Sequence, residues 1–329
     1  MVHFFRYRNA VCGKFLVGKF LRKTAGKVQT VRVLTSGQSK QSGKDIAVSI
    51  VAWAAAVLLF GKSLWWLAGT ALAREQIAHA AVVLIFGVVF LLRDRAEART
   101  LALGFGRRAT GFYAGACLGA ALAGFFHQPL LMLCALGFLA GAVLLFVFGD
   151  SVFRPALGFG LAFSGFTFLS VLFPYADWPL RLLAGKTAVW FFGIFGDPVQ
   201  LGLAGDPPRL VLVNGGRPFE VATECNGFGI ISGCILLALL LVFSRRLRVV
   251  DKVIVLALAP MLGLFSNAAR ISLIVLLAPA AGKNYQVMHE TVGILLFFGT
   301  LAALWWLVAG LPERRRKSPA GSQTKSDIS

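Results

Sequence analysis

The chain has 329 residues, of which 57% are hydrophobic and only 14% charged, and its mean hydropathy is +0.77. Soluble domains carry about 25% charged residues, so this composition excludes a soluble globule, a disordered chain, a coiled coil and a secreted disulfide scaffold. The net charge of +19 is concentrated in two tails and a few short loops, as in polytopic membrane proteins. No folded module carries a basic stripe for nucleic acid. Lipid is therefore an expected partner, and nucleic acid is not.

Apolar segments follow one another along the chain and predict an all-α polytopic membrane protein. Residues 1–44 contain ten Lys/Arg and no acid, which indicates a basic cytoplasmic tail. A transmembrane domain follows over 45–311, and residues 312–329 form a second basic cytoplasmic tail. A spanning helix needs about 20 apolar residues, and about eight transmembrane helices are predicted, at 46–61, 77–92, 109–126, 129–148, 155–173, 227–243, 253–277 and 289–309.

One long segment between the spans, residues 174–226, is predicted to lie outside the inner (plasma) membrane. If every basic cluster is cytoplasmic, both termini are inside and this segment is extracytoplasmic. It is predicted to begin with an interfacial helix over 178–196, followed by a Gly/Pro/Asp loop over 197–208. Two short strands around Asn214-Gly215 then predict a β-hairpin, which ends where the sixth span begins.

The seventh apolar segment contains an arginine, a residue whose charge is energetically costly to place in a membrane. Arg270 lies inside a run that is otherwise apolar, and an ionisable group there is usually functional or paired. Asn267, three residues earlier, shares its helix face. Counting about 1.5 Å per residue places Arg270 near the outer boundary of the membrane. The alternative is an arginine that only reaches the lipid headgroups.

A cysteine and a histidine are predicted at the same level. Cys225 lies outside at the start of the sixth span, where a helix dipole favours a thiolate, whereas the other cysteines lie in spans or in the tail. His289 opens the last span, while His79 and His127 are expected to be interfacial polar residues. Because Cys225, Arg270 and His289 come from three spans and reach one boundary, they predict one site.

No cofactor or metal site is predicted. His289-Glu290 begins like the HExxH motif of zinc proteases, but position 293 is glycine, so the second ligand is missing. The cysteine count is odd and has no paired spacing, which argues against a disulfide framework.

The motifs at the three predicted site positions resemble those of the exosortase/archaeosortase family of polytopic membrane transpeptidases. They are Glu224-Cys225-Asn226-Gly227 opening one span, Asn267-Ala-Ala-Arg270 late in the next, and His289 opening the last. The resemblance covers about 174–306. The family commonly has Ser after the cysteine and often Asp after the histidine, where this chain has Asn226 and Glu290.

The resemblance implies a cysteine peptidase or transpeptidase with Cys225 as nucleophile, His289 as general acid/base and Arg270 as electrostatic group. The implied substrates are secreted proteins whose C-terminal sorting tail has a short motif, a membrane helix and a basic cluster. Cleavage through a thioester would transfer them to an acceptor in the envelope or on extracellular polysaccharide. Alternatives are a polytopic transporter and a non-catalytic envelope assembly factor. The motif, the acceptor, the oligomeric state and the roles of Glu224 and Asn267 stay open.

Overall fold

The computed structural model describes residues 43–93, 101–194, 196, 199–206 and 208–312, without the side chains of Lys44 and Glu224. The chain divides into two compact units, residues 1–48 and 49–329. Only the beginning of the first helix is described in the smaller unit, and the rest of the described residues belong to the larger one. The two predicted basic tails lie almost entirely outside the described residues.

Eight α-helices occur in the described residues, in the order of the eight predicted apolar segments. Five segments are long and apolar enough to cross a membrane, at Asp45–Ala73, Glu75–Arg93, Pro129–Phe148, Asp150–Ile194 and Val249–Gly310. The last of these contains two helices. The count of eight spans and their orientation stay predictions. The helices are α1 (Gly43–Ala73), α2 (Glu75–Arg93), α3 (Arg107–Phe125), α4 (Pro129–Phe148), α5 (Phe153–Ile194), α6 (Phe228–Ser244), α7 (Val249–Ala281) and α8 (Tyr285–Gly310).

The shortest of these apolar helices, α6, lies at the centre of the bundle. It packs against α2, α5, α7 and α8, and 13 of its 17 residues are buried. Two glycines on its neighbours let the backbones approach closely. A Cβ on Gly158 of α5 would lie 2.7 Å from the carbonyl oxygen of Leu240, and one on Gly263 of α7 would lie 2.8 Å from Cα of Ile231. Small residues at such crossings are typical of helix packing in membranes.

The helix predicted over 178–196 is present as far as Ile194, but the prediction that it is separate from the fifth span is wrong. The structure has one 42-residue helix, α5, that continues through Pro174 and Pro179 to Ile194. Each proline removes a backbone donor, but the helix beyond them keeps a buried stripe of Ala184, Ala188 and Phe192 that packs against the sheet and α7. This tertiary contact holds the second half in line with the first. The segment 174–226 therefore begins inside a helix.

A three-stranded antiparallel sheet follows α5, in the order β1 (Gln200–Ala204), β2 (Arg209–Asn214) and β3 (Arg217–Glu220). The predicted hairpin is confirmed as β2 and β3, joined through Gly215 and Gly216, which both have positive φ as a type I′ turn requires. Strand β1 lies in the stretch that was predicted to be a loop. Its register with β2, Leu201 opposite Leu212, provides the pairing that this short sequence does not reveal.

Candidate active site

The chain reverses between the sheet and α6, and Cys225 lies in this connection. Residues Thr223–Cys225 form one 3₁₀ turn, in which the amide of Cys225 donates to the carbonyl of Ala222 at 2.9 Å. Gly227 then takes a left-handed conformation with φ +80°, and α6 begins at Phe228. The cysteine thus lies just before the helix, as the sequence predicts, and its side chain is half-buried.

The thiol of Cys225 lies beside the imidazole of His289. Its Sγ is 3.6 Å from Nε2 of His289, although the two residues are 64 positions apart in the chain. His289 lies in the first turns of α8 and is also half-buried. The ring of Tyr285, one turn earlier, lies 6.1 Å from the imidazole between ring centroids. A thiol and an imidazole at this separation can exchange a proton directly.

Asn267 of α7 holds the backbone of Cys225 through a hydrogen bond to its carbonyl group. Its Nδ2 donates to the carbonyl oxygen of Cys225 at 3.0 Å, and the side chain is fully buried. A Cβ at position 227 would lie 2.7 Å from Cγ of Asn267. Gly227 is therefore required twice, by its positive φ and by the amide packed against it. In the structure, Asn267 thus holds the peptide group of Cys225 in place.

Arg270, one turn further along α7, has its guanidinium against α8. A Cβ on the buried Gly293 would lie 2.9 Å from one terminal nitrogen of Arg270. Gly293 follows His289 by four residues, about 6 Å along the helix axis, so the guanidinium lies about one turn from the imidazole. Gly293, which stands where an HExxH motif would have its second histidine, is therefore the residue whose missing side chain leaves space for the guanidinium of Arg270.

A cavity of about 260 Å³ connects the arginine to the histidine. Its lining includes Arg270, His289 and Gly293, and α2 contributes Glu75, Gln76 and His79. A smaller apolar recess of about 30 Å³ is lined by Cys225 and by residues of the sheet, α7 and α8. His289 lines the larger cavity and Cys225 the smaller recess, so the contact between their side chains lies where the two spaces come together.

The sequence interpretation missed the contribution of α2. His79 was expected to be an interfacial residue, but its ring packs on Phe297 at 5.1 Å between centroids, and its Nε2 lies 3.7 Å from a carboxylate oxygen of Glu75. Gln76 reaches the carbonyl of Thr223 at 3.5 Å. Asp177 of α5 was also missed, and it contacts the residue after the cysteine. Only the i, i+4 spacing of Glu75 and His79 was visible in the sequence.

The three predicted site residues therefore approach one region from three segments. A thiol beside an imidazole is the arrangement of a cysteine nucleophile and its base, and a guanidinium that lines the cavity beside this imidazole is suited to a developing oxyanion. The protein thus belongs to the class of helical membrane proteins in which a cysteine and a histidine lie in contact at the end of the bundle.

The family comparison agrees with this class. The family model of the transmembrane exosortases matches residues 65–306, which include all eight helices except the first part of α1 and the last residues of α8. The chain belongs to the transmembrane exosortase family and is a multi-pass membrane protein. The family is one of cysteine-type transpeptidases. No curated protein and no solved structure is significantly similar to the chain.

Proposed function

We propose that the protein is a membrane-embedded cysteine transpeptidase that removes the C-terminal sorting tail of secreted proteins. The substrate tail would have a short motif, a membrane helix and a basic cluster, and the product would be transferred to an acceptor of the envelope or of extracellular polysaccharide. The active site would face the extracytoplasmic side of the inner membrane. The observation that carries the proposal is the 3.6 Å separation of Cys225 Sγ and His289 Nε2.

In the first half-reaction, His289 takes the thiol proton and Cys225 Sγ attacks the carbonyl carbon of the scissile peptide. A C–S bond forms, and the carbonyl oxygen becomes an oxyanion to which Arg270 donates. One such donor typically contributes about 10²- to 10³-fold in rate. When the C–N bond breaks, His289 returns the proton to the leaving amine, and the tail departs with its membrane helix. The secreted protein remains on Cys225 as a thioester.

In the second half-reaction, an acceptor nucleophile occupies the space that the tail has left. His289 takes its proton, the nucleophile attacks the thioester carbonyl, and the C–S bond breaks to regenerate the thiol. The polar side chains of Glu75, His79 and Arg270 in the lining of the 260 Å³ cavity suit an acceptor that carries hydrogen-bonding groups. Water in the same place would give hydrolysis.

Co-expression with a candidate substrate tests the proposal. The probe is a tagged secreted protein of the same organism that ends in a short motif, one apolar helix and an Arg/Lys cluster. We expect a tagged product without the tail and, on rapid acid quenching, a tagged adduct on Cys225 that neutral hydroxylamine removes. His289→Ala should lower both signals at equal expression. Binding of the intact tail without cleavage or adduct would favour the assembly-factor alternative.

The orientation is tested by thiol labelling of single-cysteine variants. In intact spheroplasts, a variant whose single cysteine is Cys225 should react with a membrane-impermeant maleimide, because this residue is half-exposed and assigned to the outer side. A variant with Cys12 alone should react only after lysis. The reverse pattern would invert the topology and remove the site from the extracytoplasmic face.

A further inference from the structure

We propose that Asp177 of α5 is a positioning residue for the nucleophile, which it holds through the side chain of Asn226. Asp177 lies 49 residues before Asn226 in the chain, and its carboxylate bonds both to Asn226 and to Arg181 of its own helix. The inference rests on the proposed function only in that Cys225 is the reacting thiol.

Both polar atoms of the Asn226 side chain form hydrogen bonds. Its Oδ1 accepts the amide N–H of Phe228 at 2.8 Å and so acts as a cap for the first free N–H of α6, although Gly227 occupies the N-cap position itself. Its Nδ2 donates to Oδ1 of Asp177 at 2.6 Å. The residue is 1% exposed, so each of these polar atoms depends on its protein partner. Serine could provide the cap, but its side chain has one hydroxyl and does not extend to α5.

The carboxylate of Asp177 is itself oriented. Its second oxygen accepts from Nε of Arg181 at 3.1 Å and is also bonded by a terminal nitrogen of that guanidinium. The side chains of Asp177 and Arg181 are 20% and 23% exposed. A carboxylate held by two nitrogens of one guanidinium is a fixed acceptor, and hydrogen bonds to an ionised acceptor are stronger than neutral ones.

The peptide that joins Cys225 to Asn226 is consequently held from two helices. Asn267 of α7 donates to its carbonyl oxygen at 3.0 Å, and Asp177 of α5 holds the next side chain. Cys225 belongs to a single 3₁₀ turn and not to α6, so the regular helix does not fix the thiol. Displacement by about 1 Å in a catalytic group can cost about 10²-fold in rate, which makes these two contacts relevant to turnover.

A side-chain exchange separates this role from a general structural one. In Asn226→Asp, two carboxylates face each other. In Asp177→Asn, an amide replaces the carboxylate that Arg181 and Asn226 share. When the two changes are combined, the carboxylate at position 226 can cap Phe228 and accept from the amide at position 177, whose oxygen still accepts from Arg181. Every hydrogen bond is thereby restored. A fourth variant, Asn226→Ser, keeps the cap and loses the link to α5.

The rate of Cys225 alkylation by iodoacetamide measures the effect without any substrate. It is followed by mass spectrometry of the Cys225 peptide in the full-length protein in detergent, across pH 5–9. We expect each single variant, and Asn226→Ser, to lower the alkylation rate at neutral pH by about tenfold, the scale of one unsatisfied buried hydrogen bond. The double variant should return to within about threefold of wild type, because contacting residues are non-additive.

The outcomes are decisive in either direction. A double variant that is as impaired as the worse single variant, at equal folded yield, would overturn the positioning role, as would an unchanged pH profile in all four. Processing of the tagged secreted protein is measured in parallel. If wild type processes nothing while the exchange still restores thiol reactivity, the proposed function fails and the positioning of Cys225 stands.

Discussion

Cys225→Ala is expected to abolish tail removal while the protein still accumulates in the membrane. Without the thiol no thioester can form, and deletion of a residue of a catalytic unit costs on the order of 10⁴- to 10⁶-fold in kcat. The side chain is only partly buried at the edge of an apolar cluster and alanine keeps its Cβ, so folding should be retained. The measurement is the fraction of tagged secreted protein that keeps its tail, at matched membrane levels of the enzyme.

A second cysteine of the same region is the matched control. Cys234 lies in α6, nine residues further on, and is 0% exposed within a cluster of apolar residues. Cys234→Ala removes a sulfur from the core, costs on the order of 1 kcal/mol of stability and should process normally at equal expression. Equal losses in the two variants would mean that packing around α6, and not a nucleophile, explains the result.

Hydropathy was sufficient to locate the helices because lipid selects long apolar segments. All eight predicted segments are helical in the described part of the chain. Hydropathy could not predict where α5 ends, because the last turns of this helix depend on contacts of Ala184, Ala188 and Phe192 with the sheet and α7. Strand β1 was missed for the same reason, since only its pairing with β2 makes five residues around a central glycine extended.

The candidate site could likewise be predicted only in part from the sequence. The predicted topology is enough to bring Cys225, Arg270 and His289 to one level, and these are residues whose chemistry is costly or reactive at a membrane. The supporting contacts join positions far apart in sequence, such as Asp177 with Asn226. Each of those residues has an ordinary interfacial interpretation by itself. Its partner becomes known only when the helices are packed.

Arg270→Lys is expected to insert normally and to lose about 10²- to 10³-fold in turnover, the effect of removing one preorganised donor from an oxyanion site. Lysine also reaches the headgroups, so an arginine that only snorkels would be replaced without loss. A planar guanidinium with several donors is not reproduced by an ammonium. Wild-type turnover in this variant at equal expression would leave Cys225 and His289 as a dyad.

A glycine on α8 tests the same guanidinium without changing its charge. In Gly293→Ala, the new Cβ would lie 2.9 Å from a terminal nitrogen of Arg270, so the flexible end of the arginine must move while the helix remains intact. We expect this variant to lose turnover by at least about tenfold, since about 1 Å of misplacement is costly. The measurement is tail removal at matched membrane levels.

The matched control for this glycine lies six residues further along α8. A Cβ on Gly299 meets nothing within 4 Å, so Gly299→Ala should be neutral, and the thermal stability of Gly293→Ala should stay close to it. Combined with Arg270→Lys, Gly293→Ala should add little, because both changes remove the same donor. If the two losses multiply instead, Gly293 acts on something other than Arg270, and the guanidinium's position over α8 does not control the reaction.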